Sequence, residues 1–173
     1  MSQIMIPVLV FFAGLFLIVG KEESGSSVPG ERERARDLAI THISKIPKGS
    51  MIVFDFDDTL FDPHIVIGHI HGGTRDFAFG PRKALPLYKP INPICDVLRY
   101  AVAAGMYITV ITARPDTAIS KQIIFHNFKH NKMAIHEFHA NPHFPRMENF
   151  KAGLRAAITK FRPIALTIGD AWT

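Results

Sequence analysis

The chain has 173 residues, 47% hydrophobic and 20% charged, with a formal charge of +5. That length carries one domain with its own core and excludes two large ones, and the hydrophobic share excludes wholesale disorder. A single cysteine, Cys95, excludes an internal disulfide framework, and the modest, scattered basic excess suits an anionic substrate or an anionic surface.

Residues Ile4 to Gly20 read IMIPVLVFFAGLFLIVG, without a charge. Seventeen residues at a helical rise of 1.5 Å reach about 25 Å, the short end of a membrane span. A cleaved signal peptide would want a basic start and a small-x-small cleavage site. Met1-Ser2-Gln3 supplies no base, and IVGKEES supplies no such site. Residues 1–20 are therefore expected to be an N-terminal transmembrane helix. The protein would be membrane-anchored by this single pass, with secretion through a signal segment as the alternative. Arg32, Arg34 and Arg36 lean towards a cytoplasmic body.

Residues 21–47 read as a linker and a short helix. KEESGSSVPG is polar with Gly, Ser and Pro, and Glu31 to Ser44 combines helix formers with apolar Ala35, Leu38, Ala39 and Ile43. The pattern then changes. Met51 to Phe54 is a continuous apolar run ending in acids, the mark of a buried parallel strand. Helices are predicted over Pro93 to Ala104, Thr117 to Lys129 and Met147 to Phe161. Further strands are predicted over Tyr107 to Ile111, Ile135 to Phe138 and Ile164 to Ile168. Strands alternating with helices predict an α/β domain with a parallel sheet.

In such folds ligands bind beyond the carboxyl ends of the strands. There the sequence places Asp55-Phe56-Asp57-Asp58-Thr59, then Thr112-Ala113-Arg114, then Gly169-Asp170, with Lys151 at the start of the last helix. Crowded carboxylates repel unless a cation neutralises them. A hard divalent cation with oxygen ligands answers that need, and Mg²⁺ shares its shell with a substrate phosphate. A hydroxyl and an ammonium suit phosphoryl oxygens. A carboxylate beside them can act as nucleophile through an aspartyl-phosphate.

These segments carry a resemblance. MIVFDFDDTL resembles the first motif of the haloacid dehalogenase-like (HAD) phosphatases, DxDxT after an apolar strand. VITAR resembles the second motif, Phe150-Lys151 through Arg155 the third, and LTIGDAWT the fourth. The aromatic-K-x-x-x-R and GDxW details are similar to the acid phosphatases related to plant vegetative storage proteins. The resemblance covers residues 48–173 and implies a Rossmann-like parallel sheet with flanking helices and a small cap insertion near residues 61–90. It implies Asp55 as nucleophile and Asp57 as general acid and base. It implies Mg²⁺ on the Asp55 carboxylate, the Asp57 main-chain carbonyl and Asp170, and the phosphoryl group on Thr112 and Lys151. Arg114 reads either as a further substrate contact or as a surface cation after the strand. The family pattern continues GDxxxD, whereas this sequence stops at Thr173, so a C-terminus lacking the second acid is expected to be incomplete.

Other polar residues have plainer expectations. Asp58 reads as a loop or capping acid, Thr59 as a local hydrogen-bonding support, and Lys160 as too late in its helix to replace Lys151. His69 and His71 in the insertion, and His139 and His143 after the weak strand, read as loop or cap polar residues, and Phe77 and Phe79 as packing. The leading functional expectation is a Mg²⁺-dependent phosphomonoester hydrolase acting on a small phosphorylated substrate. A nucleotidase or nucleic-acid end phosphatase is the second enzymatic reading, although no basic stripe or nucleic-acid-binding module is visible. A non-catalytic binding or storage protein on the same fold is the third; retention of Asp55 and Asp57 argues against it.

Overall fold

The computed structural model describes residues 15–18, 30–71, 84–143 and 149–169. In chain order its elements are β1 (Leu15–Ile18), α1 (Glu31–Ile43), β2 (Met51–Asp55), β3 (Phe61–His71), β4 (Ala84–Pro90), α2 (Asn92–Ala103), β5 (Tyr107–Pro115), α3 (Ala118–His130), β6 (Glu137–Asn141), α4 (Phe150–Thr159) and β7 (Ile164–Gly169). Five strands form one sheet in the order β1-β7-β2-β5-β6, and every neighbouring pair is parallel. β2 is central and buried at all its residues. Cover on both faces is why it reads as an unbroken apolar run up to its closing acid.

Side chains alternate across a sheet, and here the two faces are unequal. Ile52, Phe54, Ile108, Val110, Leu166 and Ile168 join the larger core, to which α1, α2 and α3 bring residues such as Ile43, Leu98 and Phe128. Met51, Val53, Ile111 and Ile164 form a smaller cluster closed by Phe150, Leu154 and Ile158 of α4. That parity matters for chemistry. Asp55 follows Met51 and Val53 in steps of two, so it projects towards α4.

The helices begin and end for local reasons. Pro93 occupies the first turn of α2, where its missing N–H costs nothing. Thr117 caps α3 by accepting the Ser120 N–H at 3.2 Å, a contact type that contributes about 1 kcal/mol. Gly105, with φ 78°, turns the chain from α2 into β5 in a backbone region that favours glycine. β6 starts at Glu137 rather than Ile135. The Ile108 N–H donates to the Nδ1 of the His136 side chain at 3.0 Å, so an imidazole occupies the place of a ladder carbonyl.

Residues 61–90, expected as a small insertion, contain the antiparallel hairpin β3–β4, a separate two-stranded sheet. Its root is tied to the main body by the Ile91 N–H donating to the Leu60 carbonyl at 2.9 Å.

The N-terminal run differs from expectation where it is described. Leu15 to Ile18, inside the expected membrane helix, is instead the edge strand β1, in register with Leu166 to Gly169 of β7. The rest of residues 1–20 lies outside the described residues. Among the described residues no helix is long and apolar enough to cross a membrane. Apolar, β-compatible side chains satisfy either a bilayer or an open sheet edge, and hydropathy alone does not separate the two.

Candidate active site

The candidate site lies at the carboxyl ends of β2, β5 and β7, and its two leading carboxylates have different surroundings. Asp55 is 8% exposed. Its Oδ1 accepts the Phe56 N–H at 2.8 Å, and its Oδ2 lies 2.5 Å from Lys151 Nζ. Lys151 stands in the first turn of α4, whose N-terminus opens towards the strand ends and favours an anion. One turn later, Arg155 lines the same pocket, together with Val53, Ile111, Thr167 and Gly169. The pocket is partly open to solvent and encloses about 10 Å³, room for a single water beside the paired Asp55 and Lys151. Burial lowers the Arg155 pKa, and the charge of Asp55 opposes that shift.

Asp57 lies just beyond the strand, and the chain turns there. Asp58 takes a left-handed φ of 56°, which Asp tolerates better than most residues, and its N–H donates to the Phe61 carbonyl at 2.8 Å. Asp57 therefore meets β5. Arg114 Nη2 donates to Asp57 Oδ1 at 2.7 Å, and its Nε reaches both carboxylate oxygens at 3.0 Å. Thr112 Oγ1 donates to Asp57 Oδ2 at 3.2 Å and accepts the Arg114 N–H at 3.2 Å. Burial alone would lower the Arg114 pKa; the hydrogen bonds and charge of Asp57 override it and raise it above the ordinary value.

The guanidinium is held from the other side as well. Its Nη1 donates to the Tyr88 hydroxyl at 3.2 Å, and its carbon lies 4.9 Å from the Tyr88 ring centre and 5.4 Å from that of Phe56. Tyr88 belongs to β4, and α3 fixes it. The buried Asn127 accepts the Tyr88 N–H at 2.8 Å and donates to the Pro86 carbonyl at 3.0 Å. A path of direct contacts thus runs from α3 through the hairpin to Asp57.

Of the residues expected at the site, the structure brings Asp55 together with Lys151, and Asp57 together with Thr112 and Arg114. Thr112 and Arg114, expected on a phosphoryl group, have Asp57 as their partner here. Asp170 lies outside the described residues; Gly169, which precedes it in sequence, lines the pocket. Among the described residues no cluster of three or more His, Cys, Asp or Glu side chains forms. The acid that lines the pocket among the described residues, Asp55, offers carboxylate oxygens, donors that suit a hard cation such as Mg²⁺ and not a soft metal.

Three contributors were absent from the expected set: Arg155, Tyr88 and Asn127. The K-x-x-x-R spacing places positions 151 and 155 on one helical face, so Arg155 had a readable signal. Tyr88 and Asn127 meet the site only through tertiary packing. Thr59, expected to support the loop by a local bond, is buried, and its hydroxyl finds no partner among the described residues.

The remaining polar residues stand apart. His69 is exposed on β3, whereas the side chains of His71, Phe77 and Phe79 lie outside the described residues. His139 Nε2 is 3.6 Å from Glu137 Oε2. The His143 N–H donates to Asn141 Oδ1 at 2.9 Å. Lys160 is exposed beyond the end of α4 opposite Lys151. No protein-family model matches the chain, and no curated protein matches its sequence.

Proposed function

We propose that the protein hydrolyses phosphomonoesters through an aspartyl-phosphate on Asp55. The observation that carries this reading is the difference between two carboxylates two positions apart. Asp55 faces Lys151 in a small pocket shared with Arg155, whereas Asp57 is engaged by Arg114 and Thr112. Environments that separate two acids allow them separate roles. In the first half-reaction an Asp55 oxygen attacks phosphorus, the bond from phosphorus to the leaving oxygen breaks, and Asp57 gives that oxygen a proton. In the second, water attacks phosphorus and passes a proton to Asp57. The bond to Asp55 breaks, and inorganic phosphate departs with both acids restored.

The first half-reaction requires Asp57 to carry a proton and to turn out of its contact with Arg114. The arrangement described above suits the second half, in which Asp57 accepts one. Lys151 and Arg155 oppose the charge that builds on the phosphoryl oxygens, and the Thr112 hydroxyl can turn to those oxygens once Asp57 has left it. Mg²⁺, held by the Asp55 carboxylate, the Asp57 main-chain carbonyl and Asp170, would supply further positive charge to the same group.

The test is a panel of phosphomonoesters, including nucleotides and end-phosphorylated oligonucleotides, assayed with and without Mg²⁺. Wild-type protein is expected to release phosphate, and Asp55→Asn to fall to background with an unchanged circular-dichroism spectrum. A wild type inactive on the whole panel, or an Asp55→Asn variant at the wild-type rate, overturns the proposal. A second reading draws on the closed state of both ion pairs: a non-catalytic binder of phosphorylated ligands. It predicts phosphate binding by calorimetry without turnover. If the oligonucleotides alone are hydrolysed, the substrate class narrows to nucleic-acid ends.

A further inference from the structure

The end of the sheet opposite the candidate site is lined by the loops that lead into β2, β5, β6 and β7. Their sequences are SKIPKGS (residues 44–50), AGM (104–106), NKMAIH (131–136) and KFRP (160–163). They carry Lys45, Lys48, Lys132, Lys160 and Arg162, all exposed, and no carboxylate. The loops form one continuous face. The Gly49 N–H donates to the Gly105 carbonyl at 2.8 Å, and the Tyr107 N–H to the Ser50 carbonyl at 2.9 Å. The Tyr107 ring stacks on His136 with centres 4.6 Å apart, and the Arg162 guanidinium lies 3.9 Å from its centre.

Two carboxylates close to these loops are already engaged. Glu137 accepts from the Tyr107 hydroxyl at 2.9 Å and from Thr109 Oγ1 at 3.3 Å. Asp96 pairs with Arg99 at 2.8 Å. Between Lys160 and Arg162 stands Phe161, 91% exposed. An aromatic ring left in water between two cations is costly to a free protein and favourable at a lipid headgroup layer, where the ring enters the acyl boundary and the cations meet phosphates. β1 also runs parallel to β7, so Leu15, beside Leu166, is its end nearest this face. The residues preceding Leu15 belong to the apolar run that begins at Ile4.

We propose that this basic face, with the exposed Phe161 between two of its cations, docks on an anionic lipid surface and leaves the candidate active site facing away from it. A single-stranded nucleic acid shares the need for cations, but it would be gripped by aromatic rings lying flat in a groove. Phe161 instead projects from a turn.

The full-length protein is sedimented with phosphatidylcholine vesicles, with and without phosphatidylserine, at low and high salt. Binding is expected to rise with phosphatidylserine and to fall with salt. At about fivefold per cation near the surface, Lys160→Gln/Arg162→Gln and Lys45→Gln/Lys48→Gln should each weaken it about 25-fold. Phe161→Ser should weaken binding without changing its salt dependence. The Lys45/Lys48 pair keeps the test decisive if loss of the Arg162–Tyr107 stack disturbs folding. Equal binding to both kinds of vesicle, unchanged binding in both double variants, or tighter binding to a single-stranded oligonucleotide than to the anionic vesicles overturns the proposal.

Discussion

Arg114→Gln removes a guanidinium that donates three hydrogen bonds to Asp57 and stacks between Tyr88 and Phe56. Removing one member of a fully buried ion pair costs about 3–5 kcal/mol, because the other charge is left unpaired. Here the two side chains are 19% and 27% exposed, so water reaches the orphaned carboxylate and the loss falls to about 2 kcal/mol. The lost cation–π contacts add about 0.5–1 kcal/mol. A total near 2.5 kcal/mol corresponds to a fall in Tm of about 8 °C for a domain of this size. Urea unfolding of Arg114→Gln, Asp57→Ala and the double variant isolates the pair, with an expected coupling of about 1–2 kcal/mol. A single variant within about 0.5 kcal/mol of wild type, or a coupling of zero, would refute the view that Arg114 and Asp57 hold one another in place.

Asn127→Ala strands the Tyr88 N–H and the Pro86 carbonyl and should cost about 2–3 kcal/mol in urea unfolding, with faster amide exchange in β4 as its local signature; unchanged exchange there would remove Asn127 from the path to the site. Burial pushes the Cys95 thiol from 9.0 up to about 12, so native protein should react slowly with a disulfide reagent at mildly alkaline pH and quickly once unfolded. Over that pH 9–12 window the folded state keeps a proton that the unfolded state loses. Stability should therefore fall as pH rises, by at most about 1.4 kcal/mol per pH unit, and Cys95→Ala should remove that part of the slope. Deleting residues 1–20 removes β1 from the β7 edge and should lower Tm; an unchanged Tm would mean that the segment is not part of the folded sheet in solution.

The parts of this architecture that local pattern controls were legible in the sequence. Continuous apolar runs marked β2, β5 and β7, and helix formers with one apolar side marked α1 to α3, to within a few residues. Lys151 could be placed near Asp55 because it opens the helix before the last strand. What pattern could not supply was partnership. Thr112 and Arg114 stand where a phosphoryl group was expected, and only the folded chain shows that both turn to Asp57. Tyr88 and Asn127 are separated by 39 positions, and nothing local to either announces their bond. Leu15 to Ile18 was read through hydropathy, which reports that a segment avoids water and not whether lipid or a neighbouring strand replaces it.

The separation of the two acids has a simple geometric origin. Residues two apart on a continuing strand face the same way, and had β2 continued, Asp55 and Asp57 would share the α4 side with Lys151 and Arg155. Two carboxylates there would compete for the same cations, and a phosphate dianion would meet both. Instead β2 ends at Asp55, and the turn through Asp58 carries Asp57 to β5. There Arg114 satisfies it, and Tyr88 and Phe56 hold Arg114 from behind. The consequence is an asymmetry of charge. Among the described residues the α4 pocket keeps one carboxylate against two cations, Asp55 against Lys151 and Arg155, a balance that favours an anion. If this turn sets that asymmetry, Asp58→Ala, strained at a φ of 56°, should loosen the Asp57–Arg114 pair and leave the Asp55–Lys151 contact in place.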